Sequence, residues 1–131
     1  MKLKLTLAAG IIATLAAPVV PAHAVTGNWT QLATLYGASH YACRVPVDGG
    51  TTVRSLLEGP GTEAVGGLRV LKHDRKILDS VVMKLALEQA SATGELFVPA
   101  GSRYTLLEWF GLDSPETISS RSVDVSALIL C

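Results

Sequence analysis

Between Gly67 and Gln89 the chain reads GLRVLKHDRKILDSVVMKLALEQ, and the spacing of its apolar residues limits the possible folds more than any other stretch. Ile77, Val81, Met83, Leu85 and Leu87 share one parity, interrupted only by Asp79, which is the period-2 pattern of a strand with one buried face. The opposite parity is mixed. The preceding arm, Leu68 to His73, is short and rich in branched residues, and His73-Asp74-Arg75-Lys76 is a polar cluster suited to a tight reversal. The pattern predicts a β-hairpin. A helix over 75–90 is the competing reading, because Ile77, Leu78, Val81, Val82 and Leu85 also fall at helical spacing, with Asp74 as N-cap and Gly94 as stop. It would turn Met83 and Leu87 away from that stripe and make the fold α+β.

Residues 1–24 have the pattern of a secretory signal peptide: Lys2 and Lys4 precede the apolar run Leu5 to Leu15, and Ala22-His23-Ala24 supplies small residues for cleavage. The run is shorter than the ~20 residues of a membrane span, and Pro18 and Pro21 interrupt its continuation. The expectation is cleavage after Ala24, no membrane insertion of the mature chain, and a single secreted β-domain over 25–131. Eleven basic residues balance eleven acidic ones in the whole chain, and removal of Lys2 and Lys4 tips the remainder slightly acidic. That balance gives no electrostatic footprint for nucleic acid or for an anionic membrane.

Cys43 and Cys131 are the only cysteines, and in an exported chain they predict one intramolecular disulfide. The chain-entropy relation assigns a loop of that length about 4–5 kcal/mol. Two free thiols, or an intermolecular bridge through Cys131, are the alternatives. Zinc is not expected, since His23, His40 and His73 provide no four-ligand spacing with the cysteines.

Taken in order, Trp29 to Tyr36 reads as an edge strand. Tyr41, Cys43, Val45 and Val47 give an alternating second strand that runs along an edge or ends near Pro46, which lacks a donor. Asp48-Gly49-Gly50 marks a turn, and Thr51 to Glu58 reads as a strand with Val53 and Leu57 inward, or as one helical turn. Gly59 to Gly67 reads as a loop, Ser91 to Gly94 as a turn, and Glu95 to Val98 as a strand ended by Pro99. Arg103 to Phe110 has apolar groups on both parities and predicts a central covered strand, with Trp109 and Phe110 in the core. Arg121 to Cys131 reads as a closing strand whose odd positions are all apolar from Val123 onward, which would send Cys43 and Cys131 into one interior. About seven short strands with regular turns predict an all-β fold, a small antiparallel β-sandwich, with a small β-barrel as the nearest rival.

Catalytic chemistry has few candidates here. His73 falls in a polar reversal, and His40 lies near a strand start with no G-x-S-x-G elbow to hold a serine nucleophile. Paired carboxylates, an H-E-x-x-H helix and a phosphate loop are missing from the sequence, so no cofactor is expected. Trp29, Tyr36 and Tyr41 are the candidate ligand-binding residues, because exposed rings serve as sugar platforms or interface anchors. The reading is a non-catalytic secreted domain that recognises another extracellular protein, as an inhibitor or interaction module. A carbohydrate or cell-wall binding module built on the three aromatics is one alternative, and a small secreted hydrolase around His40 is another.

Overall fold

The computed structural model describes residues 28–35, 37–59, 61, 63–112 and 118–131. The signal-peptide expectation and Tyr36 lie outside them. In chain order the strands are β1 (Thr30–Leu35), β2 (Ala38–Val47), β3 (Gly50–Glu58), β4 (Ala64–Leu71), β5 (Ile77–Leu85), β6 (Ser91–Pro99), β7 (Thr105–Gly111) and β8 (Ser119–Val123), followed by a 3₁₀ turn at Val125–Ala127. They form two four-stranded sheets, in the orders β1-β2-β3-β6 and β8-β7-β4-β5, and every ladder is antiparallel. The sheets do not close into a barrel, and residues 75–90 form no helix, so both alternatives to the sandwich fall. Among the described residues no helix is long and apolar enough to cross a membrane.

The β4–β5 hairpin forms where the sequence predicts it. Lys72 and Lys76 close the turn through a 2.9 Å backbone bond, Asp74 Oδ1 accepts from Lys76 N, and Arg75 takes a left-handed φ of 69°. Gly59 to Gly67, by contrast, is not one loop, because β4 begins at Ala64. Its glycines are there for close approach. A Cβ on Gly67 would collide with the Val81 carbonyl and stand 2.9 Å from Trp109 Nε1, while one on Gly66 would press on Leu57 and Phe110. Gly67→Ala is therefore expected to cost about 2–3 kcal/mol by urea unfolding, as overpacking does; an unchanged midpoint would show that the strand shifts freely. Similarly, Ser91 to Gly94 belongs to β6 and the reversal lies before it, because Gly94 lets β6 approach Val81 and Met83 of the neighbouring sheet's edge.

Strand alternation decides the core, although not always on the expected parity. In β2 the inward residues are Ala38, His40 and Ala42, whereas Tyr41 and Val45 are half-buried and Val47 is exposed. The core has two apolar clusters: one around Ala42, Val53, Leu68, Leu96 and Leu106, the other around Ala38, Leu57, Met83, Leu85 and Phe110. In β5 only the second half is inward, and Ile77 and Leu87 are exposed. Trp109 is half-buried, with the parity opposite to Leu106 and Phe110, so it belongs to the outer face rather than the core.

The C-terminal segment corrects another expectation. After β8 the chain turns at Asp124, whose carboxylate caps the 3₁₀ turn, and Leu130 then forms a parallel bridge with Arg44 in β2. This tail occupies the side of β2 that β1 leaves unpaired beyond Ala42. It is tied to the first strand by a bond from Ile129 N to Thr30 Oγ1. Cys43 and Cys131 form the predicted disulfide across 88 positions, with Cα atoms 5.0 Å apart. Cys43 is 1% exposed, but Cys131 is at the surface, so the bridge staples the tail to β2 and does not join two core strands.

Candidate functional site

Each of three strands carries one polar residue inward at the level where the two apolar clusters meet. In β2 His40 lies between Ala38 and Ala42, in β3 Ser55 between Val53 and Leu57, and in β7 Glu108 between Leu106 and Phe110. All three are buried. His40 Nδ1 is 2.9 Å from Glu108 Oε2, and Nε2 is 2.6 Å from Ser55 Oγ. With the imidazole neutral, Nδ1–H donates to the carboxylate and Nε2 accepts the serine hydroxyl proton. Phe110 packs beside the ring at 5.9 Å. On the far side Glu108 Oε1 lies 3.4 Å from Nε of Arg121, a β8 residue whose side chain is 56% exposed and carries its charge out to solvent.

The connectivity of this trio is that of a serine–histidine–carboxylate relay, in which an imidazole takes the hydroxyl proton and the carboxylate holds the ring. The setting is not. Ser55 Oγ has no exposed surface, and at the adjacent Gly94 position even a methyl group would stand 2.7 Å from Val81. A nucleophile must reach substrate, and this hydroxyl is enclosed between the sheets. What the arrangement does accomplish is to satisfy every member of a buried polar set by partners from both sheets, which is the condition under which such groups are tolerated in a core.

The outer face of the sheet β8-β7-β4-β5 carries a row of aromatic, apolar and cationic side chains, while Phe97 on β6 is an exposed ring of the other sheet. Register places Trp109, Gly67 and Val82 in one row across β7, β4 and β5, and Leu107, Arg69 and Ser80 in the next. The indole occupies the space that a Cβ on Gly67 would fill. The Arg69 guanidinium sits over the ring, 5.6 Å from its centroid, a cation–π arrangement. Val82 is 64% exposed beside them on β5, an end strand of its sheet, and Leu78 on the same strand is also exposed. These residues build an aromatic and apolar surface with one positive charge.

The aromatics predicted from sequence are placed differently. Trp29 and Tyr41 are half-buried, as Trp109 is, with Trp29 just before β1 and Tyr41 on β2 opposite Gln31 and Leu56, and the Nε1 atoms of Trp29 and Trp109 are both enclosed. Sequence reasoning missed Glu108 and Trp109 in their actual roles, although a carboxylate between Leu106 and Phe110 on an otherwise apolar parity was a usable signal. Comparison with protein-family models, curated proteins and solved structures finds no match to this chain.

Proposed function

We propose that this is a secreted, non-catalytic β-domain that binds another extracellular protein through the outer face carrying Trp109, Arg69 and Val82. The observation that carries the reading is the row in which the indole lies over Gly67, beneath the Arg69 guanidinium and beside the exposed Val82. Tryptophan and arginine are the residues most often found at the energetic centre of protein interfaces, and an exposed apolar neighbour extends the area that can be dried on contact. Enclosure of Ser55 favours recognition over hydrolysis. The disulfide accords with an oxidising compartment, and export rests on the leader pattern of residues 1–24.

Glycan binding is the second reading, favoured by a tryptophan on an open sheet face. The guanidinium over its ring argues for protein instead, since a sugar would have to displace it.

A photo-crosslinking amino acid at position 82, with position 54 on the other sheet as control, tests the proposal in the producing culture. The expected result is a discrete adduct with an extracellular protein from position 82 alone. Val82→Lys should then weaken that complex about 10-fold or more, with unchanged unfolding, because a charge replaces an exposed apolar contact. Equal labelling from both positions, or retention on insoluble glycan that Trp109→Ala abolishes, would sink it.

A further inference from the structure

The open end of the sandwich, remote from the Trp109 face, holds a cleft of about 460 Å³ between the two sheets. Its walls are Val98 from β6, Leu106 from β7 and Val123 from β8, continuous with the larger apolar cluster, and Arg44, Thr51 and Tyr104 add polar groups. Arg44 has the inward parity of β2, and among the described residues its side chain is the only lysine or arginine that lines the cleft.

How Arg44 is held matters more than its presence. Its backbone N–H donates to Ile129 O at 2.9 Å, its carbonyl accepts from Cys131 N at 3.0 Å, and its Nε donates to Leu128 O at 2.7 Å. The neighbouring Cys43–Cys131 bridge fixes the same segment. The guanidinium is thus anchored through one of its five N–H groups. The described ion pairs are His40–Glu108, Arg54–Glu95 and Arg121–Glu108, and Arg44 is in none of them. Asp124 also lines the cleft, but its Oδ1 is engaged by the backbone N–H and hydroxyl of Ser126. A half-buried guanidinium whose terminal amino groups have no partner among the described residues, at a cleft with mixed polar and apolar walls, is suited to a carboxylate, which it grips by two parallel charge-assisted bonds.

We infer that this cleft binds the carboxylate of an apolar organic acid, with Arg44 taking the carboxylate and Val98, Leu106 and Val123 taking the apolar body. The acid is either a small free molecule or the C-terminal residue of a peptide; the two share one recognition chemistry. The inference is independent of the Trp109 face.

The test is an NMR titration of the oxidised, isotopically labelled protein, followed at the Arg44 Nε–H and the amides of Tyr104, Thr105 and Val125. The probes are hexanoate, benzoate, and an N-acetylated tripeptide ending in leucine, as free acid and as amide. At least one acid is expected to shift these signals saturably, and replacing the carboxylate by an amide is expected to weaken binding about 10-fold or more. Response to the simple acids alone identifies a small molecule as the ligand class, and response to the tripeptide acid identifies chain ends. Because the acid-against-amide comparison leaves the protein unaltered, its outcome does not depend on how a substitution at Arg44 would affect the tail. No saturable shift with any acid, or equal binding of acid and amide, would overturn the inference.

Discussion

Replacing Cys43 and Cys131 by serine, or reducing the bridge, is expected to lower stability by about 4 kcal/mol and the unfolding midpoint by roughly 15–30 °C. The bridge spans 88 positions, so its loss restores a large amount of freedom to the unfolded chain. The folded state loses as well. The tail that Cys131 anchors delivers Leu128 into the larger core cluster and supplies the carbonyl that holds Arg44. Without the staple, two backbone bonds to Arg44, the Arg44 Nε–H and the Thr30 hydroxyl are the described hydrogen bonds that tie Leu128 to Cys131 to the first two strands. Cys131 is at the surface while Cys43 is 1% exposed, so the approach for a thiol reductant is from the tail side, and stability is expected to fall with reductant under native conditions. Calorimetry with and without reductant measures the difference, and a shift of less than a few degrees would mean that the tail is held by packing alone.

His40→Ala is expected to cost about 3–5 kcal/mol, comparable to the bridge, in urea unfolding at neutral pH. The substitution leaves a cavity between the two apolar clusters, and it strands the Ser55 hydroxyl and the Glu108 carboxylate without their buried partner. Arg121 relieves little of this, being exposed and in contact with the other carboxylate oxygen. The informative comparison is the variant carrying Ser55→Ala, His40→Leu and Glu108→Leu together, which removes all three polar groups. It is expected to be more stable than His40→Ala alone, since a dry apolar replacement costs less than an orphaned charge. If His40→Ala costs under about 1 kcal/mol, the trio is not what holds the sheets in alignment.

That alignment is what the trio explains best. His40 and Ser55 come from one sheet and Glu108 from the other, so the His40–Glu108 bond crosses the sandwich. Leucine and valine pack in many relative placements of two sheets, but a histidine and a glutamate meet in few. Sliding β7 by one residue pair past β2 would put Glu108 beside apolar side chains, at the cost of an unpaired buried charge.

Alternation along the chain was enough to locate the β4–β5 hairpin, the edge position of β1, the central position of β7 and the cysteine pairing, because strand period and turn chemistry are local properties. It was not enough to choose the inward side where both parities carry apolar residues. Cys43 and Val45 look as inward as Ala42 until the tail is seen to lie along β2, and Trp109 looks as central as Phe110 until Gly67 is seen to make room for it on the outer face. Of the rings read from sequence as ligand contacts, Trp29 and Tyr41 sit half-buried, and the face proposed for binding draws on Trp109, also half-buried, which hydrophobicity alone assigns to the core. Period, turns and thiol count are set by neighbours along the chain, and these the sequence determined by itself. Which face is covered, and which buried charge finds a partner, depend on residues that only folding brings together, and that was decided by the packing of one sheet on the other.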